Sequence, residues 1–229
     1  MGAALRESPV TWGLILLDVL LYLLSAACAG SLVAIDNRTL VLCGGLYGPA
    51  VLLGGEWWRL GSAMFLHGGL THLLLNMVSL WIVGRMMEHY FGGVVTLAIY
   101  LTSGLMGFLV SLLAHPTAVA VGASGAIFGL FGALGGFAYF HRERLGAHYR
   151  RFVREFGAIL GLNLLVGLLI PAVDMSAHLG GLLLGAVAGY LAVQSRIAFV
   201  LFLALSALMA WGIVQFWVLP RMTILYLPA

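Results

Sequence analysis

Charged side chains are scarce in this sequence: only 8% of its 229 residues are charged, whereas 62% are hydrophobic. A soluble domain of this size usually carries about 25% charged residues. Too few polar side chains remain to cover a water-facing surface. The composition therefore excludes an ordinary soluble domain and predicts a protein of the lipid bilayer. The length suits a single membrane domain, residues 1–229.

Lysine is absent, and the net charge of +3 comes from eleven arginines against eight acidic residues. Membrane orientation explains these arginines, so we predict no nucleic-acid partner. Cysteine is nearly absent too, because Cys28 and Cys43 are the only two. They are too few for a disulfide framework or a metal site. We favour two free thiols over one disulfide, and we predict neither a metal nor a cofactor.

Long apolar segments dominate what is present, and seven of them are long enough to cross a bilayer, at about 16–22 residues each. Asp18 interrupts the first segment, which favours an uncleaved span over a cleaved signal peptide. The pattern predicts an all-α polytopic membrane protein. The segments are 12–32, 72–91, 94–114, 124–140, 156–171, 176–194 and 198–219.

The region 33–71 breaks this pattern, because glycine and proline interrupt its apolar stretches and it carries charged residues. The pair Trp57-Trp58 is typical of an aromatic anchor at headgroup level. We predict a membrane-embedded loop with short helical pieces, and loops of this length tend to be functional.

Arginine is distributed unevenly between the two predicted membrane faces. The loop 141–155 holds five of the eleven, namely Arg142, Arg144, Arg150, Arg151 and Arg154. A cytoplasmic location for this loop also brings Arg6, Arg85 and Arg196 to the inner side. Because cytoplasmic loops collect basic residues, we predict a cytoplasmic N-terminus and an external C-terminus.

Polar residues inside spans are costly and are functional candidates by default. Ser124 begins the fourth span, His178 lies near the start of the sixth, and His72 and Asn76 lie near the start of the second. With the predicted orientation all four lie in the outer part of the membrane. A neutral imidazole can take the proton of a serine hydroxyl. We therefore predict Ser124 as nucleophile and His178 as general base.

Donors for an oxyanion are available near this pair. His72 and Asn76 are four residues apart and share one helix face, and both side chains have N–H donors. The backbone N–H groups of Ser124 and Gly125 lie at a helix N-terminus without intrahelical partners. Gly122 and Gly125 let the chain bend there. Taken alone, each of these side chains has a plainer structural interpretation. Ser124 could donate a hydrogen bond to the backbone carbonyl one turn back in its own helix, and Asn76 could hydrogen-bond a neighbouring helix.

Small residues recur every four positions in the sixth span, at Ala177, Gly181, Gly185 and Gly189, and the fourth span has its own glycine face. Such faces let helix backbones approach closely in lipid. We expect the fourth and sixth spans to pack together and to set the Ser124–His178 distance. Asp174 precedes His178 by four residues, but its position beside Pro171 predicts a solvent-facing loop. We therefore favour a Ser–His dyad over a triad.

The sequence resembles the rhomboid family of intramembrane serine proteases over about residues 55–190. The matching motifs, in order, are Trp58-Arg59, His72-Leu73-Leu74-Leu75-Asn76, Gly122-Ala123-Ser124-Gly125 and Ala177-His178-Leu179-Gly180-Gly181 with Gly185. Glu88 matches an acidic position of the family at the end of the second helix. The resemblance implies a six-helix core, here 12–194, with 198–219 as an appended seventh helix. It also implies that Ser124 and His178 form the dyad, with His72 and Asn76 at the oxyanion.

One position departs from the family. Phe128 stands where a tyrosine often stacks on the dyad histidine. Phenylalanine can still stack but lacks the hydroxyl, so we expect altered dyad support without loss of activity. Gly122, Gly181 and Gly185 complete the predicted support. His67, His72 and the loop 115–123 are expected to line the path by which water reaches the dyad.

We predict an intramembrane serine endopeptidase in a prokaryotic inner membrane. Its partners would be the bilayer and single-pass substrates, which it would cleave near the outer membrane face. A catalytically silent rhomboid-like scaffold and a small transporter are the alternatives. The transporter would need a continuous polar path through the membrane, and Asp18 is a polar residue that the protease hypothesis leaves unexplained.

Overall fold

The computed structural model describes residues 7–169 and 173–218. The fold is helical, which confirms the predicted all-α membrane protein. Its helices are α1 Pro9–Ala29, α2 Asn37–Leu42, α3 Gly48–Leu52, α4 Arg59–Ser62, α5 Leu70–Ala114, α6 Ser124–Phe140, α7 Arg142–Leu145, α8 Ala147–Leu169, α9 Met175–Gln194 and α10 Arg196–Ile213. A 3₁₀ turn, Ala63–Phe65, follows α4, and a π-helical turn, Val214–Val218, follows α10.

Helix α5 contains two of the predicted spans. Its 45 residues are interrupted at Gly92, where φ is +76°. Glycine adopts this backbone conformation without the steric cost that a Cβ would bring. The segments 72–91 and 94–114 are therefore two crossings joined by a sharp kink rather than by a loop. Helices α1, α5 and α9, and the stretch Arg196–Phe216, are long and apolar enough to cross a bilayer, while α6 is apolar but shorter.

Helix α8 begins at Ala147, nine residues before the predicted segment 156–171. The sequence missed this start because Arg150, Arg151 and Arg154 break the apolar pattern, although arginine is a good helix former. Residues 170 and 171 of that prediction, and residue 219 of the last predicted segment, lie outside the described residues.

Helix α6 packs closely against α9 through their glycine faces. A Cβ built at Gly181 would fall on the carbonyl oxygen of Gly125, and one built at Gly185 would fall on that of Gly129. On the other side of α6, the side chain of Ser103 from α5 occupies the space above Gly129. Any larger side chain at these positions would separate the backbones, so glycine is what permits this distance.

Helix α1 is joined to the core at its first turn by Glu88 of α5. The Glu88 carboxylate accepts hydrogen bonds from the backbone N–H groups of Val10 and Thr11, at 3.1 and 2.6 Å, and from the Thr11 hydroxyl at 2.6 Å. The first N–H groups of a helix have no intrahelical acceptor, and an acidic side chain there is favourable. Pro9 at the first helical position needs no acceptor.

The region 33–71 contains α2, α3, α4 and the 3₁₀ turn, joined by irregular backbone. The buried Arg59 organises it: its guanidinium donates to the carbonyl oxygens of Val41 at 2.5 Å and Gly45 at 3.0 Å, and to Glu56 at 2.6 Å. It also lies over the exposed Trp58 ring, at 4.8 Å. One arginine thus supplies the donors that this irregular backbone needs.

A two-stranded antiparallel sheet, which the sequence did not predict, ties this region to the segment before α6. Strand β1, Leu46–Tyr47, pairs with β2, Val119–Ala120, with Leu46 opposite Ala120. Two residues per strand leave no alternating pattern to detect. Cys28 and Cys43 are both free thiols.

Candidate active site

The hydroxyl of Ser124 and the imidazole of His178 lie in hydrogen-bond contact. Ser124 is the first residue of α6, and His178 is in the first turn of α9. The distance from Ser124 Oγ to His178 Nε2 is 2.8 Å. The two helices start at the same end of the bundle, and their glycine contacts bring the two side chains together. This geometry suits transfer of the serine proton to the histidine.

Asp174 does not orient His178. Its carboxylate accepts the backbone N–H of Ala177 at 3.1 Å and so acts as the N-cap of α9. Nδ1 of His178 has no hydrogen-bond partner among the described residues. For Nε2 to accept the serine hydroxyl, the proton of the neutral ring must sit on Nδ1. The arrangement is therefore a pair rather than a triad.

The ring of Phe128 lies flat against His178. Their centroids are 4.2 Å apart and the planes differ by 15°. Phe128 is one turn after Ser124 on α6, so the same helix presents the hydroxyl and the surface against which the imidazole rests. Both rings are almost completely buried. Stacking restricts the rotation of His178, which has no second hydrogen bond to hold it.

The segment before Ser124 passes close to the His72 ring. Gly122 has φ +126°, and a Cβ there would lie 2.8 Å from Nε2 of His72. Its N–H donates to the carbonyl oxygen of Ala63 at 2.9 Å. Only glycine allows both the left-handed φ and this approach. Ala63 is a residue that sequence reasoning missed, and it had no signal, because the contribution comes from its backbone.

The hydrogen bonds of His72 indicate which ring nitrogen is a donor. The N–H of Gly68 points at Nδ1 of His72, at 3.4 Å, so Nδ1 accepts. In a neutral ring the proton then sits on Nε2, the nitrogen that faces Gly122. The Nε2–H group of His72, which we predicted as a donor to the oxyanion, therefore points toward the segment that leads to Ser124.

Asn76 is buried one turn further along α5, and its amide nitrogen donates to the carbonyl oxygen of His72 at 2.9 Å. One N–H of the amide is therefore engaged within its own helix, and within residues 7–169 and 173–218 the second N–H meets no acceptor. The backbone N–H groups of Ser124 and Gly125 lie in the first turn of α6, whose N-cap residue Ala123 supplies no side-chain acceptor. Both N–H groups are available to a bound oxygen.

His67 does not have the exposure that a residue lining a water path would need. Its side chain is completely buried, its ring centroid lies 5.1 Å from that of His72, and neither ring nitrogen has a hydrogen-bond partner in the described part of the chain. The expectation that His67 lines this path is therefore wrong. His72 is half-buried and remains at the margin of the site.

The fold and the site define a polytopic membrane protein with a serine and a histidine in contact where two tightly packed helices begin. A family model described as Rhomboid domain matches residues 54–195, more than half of the chain. The protein belongs to the rhomboid family. This confirms the resemblance carried by its motifs.

Several curated relatives carry rhomboid names. RHOMBOID-like protein 6, mitochondrial, from Arabidopsis thaliana is 40% identical over 160 residues, which are 68% of this chain and 50% of that protein. RHOMBOID-like protein 5 from the same plant is 43% identical over 144 residues, 59% of this chain and 44% of that protein. Rhomboid protease GluP from Bacillus subtilis (strain 168) is 36% identical over 179 residues, 76% of this chain and 33% of that protein. The chain spans half or less of the length of these relatives.

Proposed function

We propose that this protein is an intramembrane serine endopeptidase in which Ser124 is the nucleophile and His178 the general base. The observation that carries the proposal is the 2.8 Å contact between Ser124 Oγ and His178 Nε2. Membership of a family that includes a named protease supports the reaction class. The stacking of Phe128 on the imidazole and the glycine-packed helices support a fixed geometry.

The reaction would follow acyl transfer to serine. Ser124 Oγ attacks a substrate carbonyl carbon while His178 Nε2 takes its proton. His178 then gives that proton to the departing amine, and the peptide C–N bond breaks. A water molecule attacks the ester, again with His178 as base, and releases Ser124. Two groups of donors would stabilise the oxyanion, the backbone N–H groups of Ser124 and Gly125 and the side chains of His72 and Asn76.

The substrate that we propose is a single-pass membrane protein cleaved near the outer face. Helical amides are hydrogen-bonded within the helix and closed to attack, so the substrate must unwind locally. Glycine, proline or polar residues in the substrate segment would ease this step. Substrates with such residues near the scissile bond should be cut faster than matched substrates with leucine there.

The orientation that we propose places the Ser124 end of the bundle outward and the N-terminus in the cytoplasm. At the opposite end of the bundle, the rings of Tyr90 of α5 and Phe137 of α6 are in contact, with their centroids 4.9 Å apart. Arg142 follows α6 there, and Arg85 lies just over one turn before Tyr90. Arginine at that end is what the cytoplasmic side requires. The prokaryotic inner membrane stays a prediction, because the relatives include both bacterial and plant proteins.

The test uses purified protein in proteoliposomes with a panel of tagged single-span proteins. Ser124→Ala and His178→Ala should each abolish cleavage, and Ser124→Ala should lose labelling by a fluorophosphonate probe. The matched control is Ser206→Ala, since Ser206 is a buried serine of α10 whose hydroxyl donates to the Phe202 carbonyl oxygen of its own helix at 2.8 Å. Cleavage that persists in Ser124→Ala would remove Ser124 from the mechanism.

A further inference from the structure

An open groove of about 650 Å³ lies where α1 begins and the first crossing of α5 ends. This end of the bundle is the one away from the dyad, because Tyr90 in the groove contacts Phe137, near the end of α6. Glu7, Arg85 and His89 line the groove, and all three side chains are at least partly exposed. A positive and a negative side chain therefore stand side by side at the surface of a membrane protein.

The two charges are brought together by the contact between α1 and α5. The Glu88 carboxylate binds the N–H groups of Val10 and Thr11 and so holds the first turn of α1 against α5. Glu7 stands just before this turn, and its carboxylate lies 3.9 Å from the Arg85 guanidinium. A direct charge-assisted hydrogen bond would measure about 2.8 Å. Because guanidinium has five donors and a carboxylate has several lone pairs, both groups keep capacity for a further partner.

Beside these charges the wall of the groove is apolar, and the exposed side chains of Trp81, Ile82 and Met86 line it. Trp81 lies one turn before Arg85, whose guanidinium is 5.4 Å from the centre of its ring, and His89 lies one turn after. About 12 Å of helix separate Trp81 from His89. Tryptophan is typical of the membrane interface, and arginine beside it can reach the headgroups. The groove is thus polar at the helix end and apolar toward the middle of the span, as a phospholipid is.

We propose that this groove binds one phospholipid with a phosphoethanolamine headgroup. The lipid phosphate accepts hydrogen bonds from the Arg85 guanidinium, whose planar donors match phosphate oxygens, and from a ring N–H of His89. The lipid ammonium group donates to the Glu7 carboxylate. An acyl chain lies along Trp81 and Met86, which would otherwise face bulk lipid.

The pair of charges selects among headgroups. The anionic headgroup of phosphatidylglycerol satisfies Arg85 but brings no cation to Glu7, whose carboxylate repels it. Phosphatidylcholine brings a cation, but its quaternary ammonium has no N–H to donate. Phosphatidylethanolamine alone among these three offers an acceptor to the arginine and a donor to the glutamate.

The test is native mass spectrometry of the purified, delipidated protein, titrated with dioleoyl lipids that carry each of the three headgroups. The first phosphatidylethanolamine should bind about fivefold more tightly than the other two lipids, which is the most that a partly exposed ion pair contributes. Equal affinities, or tighter binding of phosphatidylglycerol, would overturn the proposal. Free phosphoethanolamine, which has both charges but no acyl chain, should not displace the lipid at equal concentration, and displacement would contradict a lipid site.

Variants of the two charged side chains locate the binding. Glu7→Gln should lower phosphatidylethanolamine affinity to that of phosphatidylcholine, and Glu7→Lys should reverse the preference in favour of phosphatidylglycerol. Glu7 is exposed, so neither change should disturb folding, which thermal unfolding checks. The matched control is Glu143→Gln, because Glu143 is also an exposed glutamate near an arginine, 3.7 Å from Arg142, and this variant should keep the wild-type preference. A wild-type preference in Glu7→Lys would show that the groove does not bind the headgroup.

Discussion

Two helices that follow each other along the chain, α9 and α10, are held in opposite ways. The neighbour of α9 is α6, in which twelve of seventeen residues are buried, and glycine carbonyls of α6 contact the glycines of α9. Helix α10 has two buried residues, Phe199 and Ser206, among eighteen. An apolar cavity of about 390 Å³ is lined by residues of α10 on one side and by Trp57 and residues of α5 and α9 on the other. The helix that carries His178 is in backbone contact with its neighbour, whereas α10 buries few of its residues.

Helices α9 and α10 differ because only α9 carries a side chain that must be positioned accurately against another helix. Hydrocarbon chains of lipid are as apolar as leucine, so burying leucine between helices contributes little in a membrane. Close backbone contact contributes more, because dispersion requires atoms that touch. The glycines therefore lie where the Ser124–His178 distance is determined, and the large aliphatic residues of α10 face outward.

The largest effect is expected from Gly185→Ala. The added Cβ falls on the carbonyl oxygen of Gly129, so α9 must move away from α6. We expect a loss of about 3 kcal/mol in the free energy of unfolding, and a displacement of about 1 Å at the dyad should lower cleavage about 100-fold. The control is Gly212→Ala in α10, where a Cβ meets nothing within 4 Å. Equal effects of the two changes on melting temperature and cleavage would contradict the comparison.

The second-largest effect is expected at α1. This helix, like α10, is not part of the glycine-packed pair α6 and α9, but it is held by hydrogen bonds. Glu88→Ala removes the acceptor of three donors on Val10 and Thr11. We expect a loss of about 2 kcal/mol in the free energy of unfolding, because buried N–H groups are left unpaired. In Glu143→Ala the lost carboxylate is exposed and lies 3.7 Å from Arg142, so the loss should stay below about 0.5 kcal/mol. Steric-trap or thermal unfolding in detergent would measure the loss of stability in Glu88→Ala and in Glu143→Ala and show whether the two losses differ.

A smaller effect should follow from Phe128→Leu, which keeps an apolar side chain but removes the ring that stacks on His178 at 4.2 Å. The stacking contributes about 1 kcal/mol, so kcat should fall about fivefold. Phe128→Tyr keeps the ring and should change kcat by less than about twofold. A leucine variant with unchanged kcat and pH profile would show that the imidazole needs no stacking partner.

The smallest effect should follow from deletion of residues 196–229, which removes α10. The residues of α5 and α9 that line the cavity would then contact lipid, an environment about as apolar as the one they lose. Cleavage should change by less than about twofold, and the melting temperature should fall by only about 2–4 °C for each kcal/mol lost. A loss of cleavage as large as that of Gly185→Ala would mean that α10 helps to position the dyad.

Much of the helical architecture could be predicted from hydropathy, and the family from motifs. Helix α6 has the predicted bounds, 124 and 140, because its apolar run starts and stops sharply. Two features could not be predicted in this way. The start of α8 is hidden by arginines, which favour helices but interrupt apolar runs. The pairing of Leu46 with Ala120 joins segments more than seventy residues apart through two-residue strands, which carry no periodicity.

The candidate site, like the fold, has features that could be predicted from the sequence and features that could not. The types and spacing of Ser124, His178, His72 and Asn76 could be read from the sequence, and their roles remain our proposal. The orientation of the His72 ring depends on the N–H of Gly68, and the course of the chain before Ser124 depends on the Ala63 carbonyl. Both contributions come from backbone atoms, which are the same at every residue, so no side-chain pattern reveals them.

Hydropathy and motif spacing are properties of residue types, so residue order was enough to predict that this chain crosses a membrane, which family it belongs to and which side chains are available for chemistry. The distance of 2.8 Å between Ser124 Oγ and His178 Nε2 and the role of Asp174 as a helix cap were visible in the three-dimensional structure alone. The contact between Ser124 and His178 joins helices that are distant along the chain, so its distance depends on how closely the helix backbones pack.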